Sequence, residues 1–138
     1  MQITRQADYA LRAILFLARL ESPEMAATSH IAEEKEIPSS FLAKIISQLS
    51  IAGLIHTSRG AHGGVRLARP PSDISLLDVV EAIDGPININ ECIQDPSICS
   101  FGENCPLHEV FSEVQAELVN KLRKSTFDKL LEREDELV

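Results

Sequence analysis

A chain of 138 residues, 44% hydrophobic and 25% charged, has room for one small domain with a core of its own and no need of disulfide staples. Its 21 Asp and Glu outweigh 13 Lys and Arg for a net charge of −8, which counts against a nucleic-acid partner until the distribution is examined. No apolar run reaches membrane-span length, and the short one at Tyr9–Leu20 carries Arg12 and Arg19 without a cleavage pattern, so a cytoplasmic protein with no membrane partner is expected.

Residues 1–70 hold eight Lys/Arg against six Asp/Glu, and residues 71–138 hold five against fifteen. No acid falls between Ile37 and Ser72, the window that contains Lys44, His56, Arg59, His62, Arg66 and Arg69. That window suits a polyanion while the acidic half stays away from it. A merely solvated basic face is the plainer alternative, and thirty-six residues without an acid weigh against it.

Gln6–Arg19 predicts an amphipathic helix with Ala10, Ala13, Ile14, Leu17 and Ala18 on one face. Pro23 breaks it, and a short helix from Thr28 stops before Pro38, because a residue preceding proline is driven out of the helical region. Ser39 is the expected N-cap of the next helix, in which Leu42, Ile45, Ile46 and Leu49 form a buried stripe and Gly53 supplies the stop. Its other face carries Ser39, Ser40, Ala43, Lys44, Ser47 and Gln48, all slim or hydrogen-bonding and none acidic. Two short helices joined by a tight turn, the second polar outside, describe a helix-turn-helix; a structural helical hairpin is the rival. Residues 54–71 then read as a β-hairpin around the Gly-rich turn at 59–64, a basic wing. Its glycines would let backbone approach a phosphate and its arginines enter a minor groove. No P-loop or dinucleotide fingerprint accompanies them.

Ser75 to Asp78 form a capping box that opens a helix whose Leu76, Val79, Val80 and Ile83 should pack on the first part of the chain. Gly85 and Pro86 end it. A fourteen-residue loop follows with all three cysteines, Cys92, Cys99 and Cys105. Pro106 starts a long helix with Leu107, Phe111, Val114 and Leu118 spaced four, three and four, broadened by Val110 and Leu122, a seam for a homodimer. The charged tail from Lys129 to Val138 is expected to fray.

An odd number of clustered thiols in a reducing compartment points to a metal or redox site. Cys105 opens a helix, where free amides and the macrodipole favour an anion, and His108 lies one turn further on. Zinc accepts such a set, but its knuckles pair cysteines two to four residues apart, whereas the gaps here are six and five. Wide gaps suit an iron–sulfur cluster, with zinc or a bare thiol switch as the alternatives.

The order of parts resembles the IscR/NsrR/RirA family of bacterial winged-helix regulators. The matching stretches are Met1-Gln-Ile-Thr-Arg-Gln-Ala-Asp8-Tyr-Ala-Leu-Arg12, Ile37-Pro-Ser-Ser-Phe-Leu-Ala-Lys-Ile45, Ala52-Gly-Leu-Ile55, the wing Ser58–Ala68, Ile74–Gly85 and the three cysteines. The resemblance implies a mainly α fold with a small β-hairpin wing: a winged helix-turn-helix over residues 1–72, a connecting helix and cysteine loop over 73–106, and a dimerisation helix with tail over 107–138. It further implies a homodimer on a two-fold DNA operator, controlled by a 2Fe–2S or 4Fe–4S cluster that reports iron, nitric oxide, redox state or cluster supply.

In the IscR branch a His shortly beyond the third Cys completes the site, and His108 stands there. In the NsrR branch an Asp of the first helix does so across the dimer, and Asp8 stands there, so the fourth ligand stays open. IscR-like proteins have a Glu where this chain has Ala43, so their operator preference does not carry over. The expected DNA contacts are Ser39, Ser40, Lys44 and Gln48 in the major groove, with Arg59, His62 and Arg66 at phosphates or the minor groove. A zinc-stabilised or cluster-free protein-interaction module is the rival function. A thiol enzyme using Cys105 and His108 lacks any oxyanion or pocket signature, so neither catalysis nor a small-molecule substrate is expected.

Overall fold

The structure, a computed structural model, describes residues 2–138, the Glu103 side chain excepted. Among the described residues seven α-helices and one hairpin follow in chain order: α1 Arg5–Ala18, α2 Thr28–Glu34, α3 Ser39–Ile51, β1 Ile55–Ser58, β2 Gly64–Leu67, α4 Leu76–Asp84, α5 Glu91–Gln94, α6 Pro106–Lys124 and α7 Phe127–Leu137. The helix-turn-helix, the wing and the long helix expected from the sequence are all present.

α1 is the central element. Ala7, Ala10, Ala13 and Ala18 are buried beside Ile14 and Leu17, and these small side chains let α3, α4 and α7 all approach it. Thr4 caps α1 by accepting the Ala7 N–H (3.1 Å) and donates its hydroxyl to Asp84 (2.5 Å), tying the start of α1 to the end of α4.

The turn between α2 and α3 is made by Glu36, at φ 52°, and by Ile37, which is buried. Leu42, Ile45, Ile46 and Leu49 form the predicted stripe. The helix begins one residue earlier than expected: Pro38 is its cap and Ser39 its first residue, with no side-chain cap bond. Pro38, extended at φ −57° and ψ 133°, starts the helix through its carbonyl, which accepts the Leu42 N–H (3.0 Å).

β1 and β2 pair antiparallel from Ile55 with Leu67 to Ser58 with Gly64. Ala26 adds a third rung by exchanging both backbone hydrogen bonds with Val65 (2.8 and 2.9 Å). This explains two glycines differently from the sequence reading. A Cβ on Gly64 would lie 2.5 Å from the Ala26 carbonyl oxygen, and one on Gly63 would lie 2.3 Å from that of Ser58. Both are required by close approach of the chain to itself.

Ser75 and Asp78 form the expected capping box, and Leu77, Val79 and Val80 of α4 are buried. The C-terminal end departs from expectation. Residues 127–137 are a docked helix and not a frayed tail, because Phe127, Leu130 and Leu131 lay one apolar stripe on the core. Phe127 is 1% exposed, and its N–H bonds the Ile74 carbonyl (3.0 Å) while the Leu76 N–H bonds that of Ser125 (2.9 Å). Arg19 of the loop after α1 closes the junction by pairing with Glu134 and with Asp135 (2.9 Å).

α6 divides along its length. Leu118, Val119 and Leu122 pack with Leu77, Val80 and Ile87, whereas Leu107, Val110 and Val114 stay exposed at 62%, 53% and 48%. The expected seam therefore splits: its C-terminal half belongs to this chain's interior, and its N-terminal half faces outward.

Candidate nucleic-acid interface and cysteine pocket

The buried stripe of α3 turns the opposite face outward, so that Ser39, Ser40, Ala43, Lys44 and Ser47 are exposed. Arg59 and His62 are exposed at the wing tip beyond β1. Among the described residues none of Lys44, Arg59, Arg66 and Arg69 takes part in a salt bridge, so this half offers uncommitted cations. Two expected contacts sit differently. Gln48 is half-buried with its Oε1 turned inward and unpartnered, and Arg66, also half-buried, lines a cleft of about 380 Å³ with Leu17, Glu24 and Arg69.

Thr28 and Ser29, which the sequence reading did not single out, open α2 beside Ser39 and Ala43 along one groove. Hydroxyls at the start of the first helix of a helix-turn-helix were the available signal. Nor did that reading single out Phe41, 40% exposed, whose ring meets Tyr9 edge-on at 5.9 Å between centroids while Arg12 lies 5.2 Å from the Tyr9 centroid.

The second site lies on the acidic half. α5 carries Cys92, Cys99 follows a turn at Pro96–Ile98, and Cys105 is the cap residue of α6 with no side-chain cap bond. All three are free and half-buried. Together with His108, Ile98, Phe101 and Phe111 they line one pocket of about 330 Å³. The His108 Nδ1 is buried and has no hydrogen-bond partner. A buried polar nitrogen left unpaired costs roughly 1–3 kcal/mol, so it is a donor or acceptor in want of a ligand. Among the described residues no three His, Cys, Asp or Glu side chains converge on a single-ion position, so the thiols share a pocket without closing a tetrahedron.

Asp8 is elsewhere. It bonds Arg12 at 2.7 Å, and Arg12 also donates to the Lys35 carbonyl (3.4 Å) at the turn of the helix-turn-helix. Within one chain, then, the structure brings together Cys92, Cys99, Cys105 and His108, and leaves Asp8 apart.

The sequence profile of the Rrf2 family, described as iron-dependent transcriptional regulator, matches residues 3–133. The chain belongs to the Rrf2 family. Its Rrf2 relatives include the HTH-type transcriptional regulator NsrR of Bacillus subtilis (strain 168), 32% identical over 139 residues that span 100% of this chain and 95% of that protein. The fold is also that of CymR, the global cysteine regulator of B. subtilis, at TM-score 0.82 and 24% identity over 96% of this chain and 98% of that one. T. potens IscR shares it at TM-score 0.80 and 23% identity, over 99% and 90%. This Rrf2 chain is accordingly a winged-helix, DNA-binding regulator of transcription and not an enzyme. Among its described residues no helix is long and apolar enough to cross a membrane.

Proposed function

We propose that the chain is a homodimeric repressor whose grip on DNA is set by an iron–sulfur cluster held at Cys92, Cys99, Cys105 and a fourth ligand. The observation that carries this reading is the His108 Nδ1, buried and unpartnered, in the same pocket as three free thiols. The donor set fits such a group: soft thiolates from irregular chain plus one imidazole, gathered around one pocket. The gaps of six and five residues between the cysteines count against the zinc alternative. His108 is favoured as the fourth ligand over Asp8 because it lines the pocket with the thiols, whereas Asp8 lies apart from it within one chain. When bound, the cluster would supply an iron centre reactive toward oxidants and nitric oxide.

The protein's own residues do the rest. In this reading residues 1–72 meet DNA, residues 73–106 carry the cysteines, and of residues 107–138 the exposed N-terminal half of α6 brings in the second copy. Ser39, Ser40 and Lys44 face the major groove, where the Lys44 charge also meets flanking phosphates, and Arg59, His62 and Arg66 lie at phosphates or the minor groove, Arg66 once it leaves its cleft. Gln48 has to turn outward to reach a base edge. Leu107, Val110 and Val114 are the apolar surface a second copy would cover, and Leu107 also lines the cysteine pocket, so ordering of that pocket and of the dimer contact are linked. A repressor of this kind switches only if the two states of the loop differ in their effect on the spacing of the two wings.

One observation favours a second reading, a cluster-free thiol sensor: three free thiols, Cys92, Cys99 and Cys105, line one pocket. Anaerobic purification followed by absorption spectroscopy and iron and sulfide analysis separates the two. Comparable iron and sulfide in the wild type and their loss in Cys92→Ala support the cluster. A colourless wild type whose DNA affinity changes with thiol oxidation supports the sensor without metal.

A further inference from the structure

Cys92 sits on α5, a helix of four residues. A single turn has almost no stability of its own, because nucleation costs more than one hydrogen bond returns. Local bonds shape that turn: the Asn90 side chain accepts the Glu91 N–H (2.9 Å) and the Asn88 Nδ2 donates to the Gln94 Oε1 (3.3 Å). Neither fixes where the turn stands relative to Cys105 and His108.

One bond does. Gln115 lies seven residues beyond His108, two turns along the same side of α6. Its Oε1 accepts the Ile89 backbone N–H at 3.0 Å, three residues before Cys92. Among the described residues this is the one hydrogen bond from residues 86–104 to another element, all others being local. Ile89 itself is half-buried, and Ile87 before it is buried, in a cluster with Leu77 and Val80 of α4 and Leu118, Val119 and Leu122 of α6.

We propose that Gln115 is the positioning residue of the cysteine pocket: it registers the Cys92 arm against the α6 face that carries His108, and through Ile87 and Ile89 joins that arm to α4. Its functional consequence rests on reading the pocket as a ligand site, but the tether itself is measurable without any ligand. Removing the acceptor leaves the Ile89 N–H unpaired and loosens the arm between Ile89 and Cys92, while Ile87, α6 and the rest of the core keep their packing.

The test uses the full cluster-free chain as wild type, Gln115→Leu and Gln115→Glu, with hydrogen exchange of peptides spanning 86–94 and the rate of alkylation of each cysteine by iodoacetamide. In Gln115→Leu exchange at the Ile89 amide should accelerate roughly tenfold and Cys92 should alkylate several-fold faster, with Cys99 and Cys105 within about twofold of wild type. Gln115→Glu, which retains an acceptor, should return both rates to near wild type, a rescue that loss of bulk packing would not give. Wild-type rates in Gln115→Leu, equal rates in the two variants, or uniform acceleration of all three cysteines together with α6 would each overturn the proposal. Anaerobic reconstitution of the same proteins is the separate arm. A wild type that takes up no iron and sulfide sinks the cluster reading and leaves exchange and alkylation to judge Gln115.

Discussion

Replacing Phe127 by Ala should destabilise the whole chain and not merely release its last helix. The ring is 1% exposed and is the largest of the fully buried side chains, packed in the same core as Ile14, Leu17 and Val79. An aromatic of about 150–250 Å² at about 25 cal/mol per Å² gives roughly 4–6 kcal/mol as an upper bound. Measured Phe-to-Ala losses of about 3–5 kcal/mol agree with that figure. With a urea slope of about 2 kcal/mol per M, the unfolding midpoint should fall by roughly 2 M in a single transition. Phe127→Leu, which keeps most of the volume, should cost less than about 1.5 kcal/mol and remain folded for comparison. Leu137→Ala, at a 71% exposed site on the same helix, should stay within about 0.5 kcal/mol. A midpoint for Phe127→Ala within about 0.3 M of wild type, or a separate early transition for α7, would refute the claim that the C-terminal helix is part of this core.

Gly64→Ala should weaken DNA binding while α1–α4 stay folded, because its Cβ meets the Ala26 carbonyl and φ is +152°; heteronuclear NMR of the wing with an anisotropy titration checks this, and unchanged wing shifts contradict it. Lys44→Ala should lower affinity for all sequences and reduce the salt slope by about one, read from binding at several salt concentrations. Asp128 supplies a pH prediction. The Thr126 hydroxyl bonded to it holds its carboxyl below the ordinary carboxylate range. A depressed folded value contributes stability at neutral pH that is lost as pH falls through that value, so Asp128→Asn should flatten the acid decline of the thermal midpoint, and parallel curves would count against it.

The fold was legible where one period carried it. Leu42, Ile45, Ile46 and Leu49 can face only one way on a helix, and the Ser75 box with Asp78 marks a start whatever surrounds it. Phe127 was not legible, since a lone aromatic in a segment as charged as 128–136 acquires meaning only when Ile74 and Ser75 are beside it in space. The sequence alone points the wing glycines at an outside partner, because nothing in it shows that Ala26 returns to Val65. At the candidate site, cysteine count and spacing marked the loop, and the helix start at Pro106 placed His108 on the same turn as Cys105. Gln115 escaped notice because a single amide on a long polar helix has no periodicity to betray it; only its bond to a residue 26 positions away does.

The central claim, that the cysteine pocket governs DNA binding, is tested most directly by one comparison. A single anaerobic preparation, divided into cluster-loaded and cluster-free halves, is titrated onto a DNA site selected from a random pool, at fixed salt, by fluorescence anisotropy. The account predicts Kd values for the two halves differing by about 5–150-fold, with the difference abolished in Cys92→Ala. Equal affinities for loaded and cluster-free wild type would contradict it.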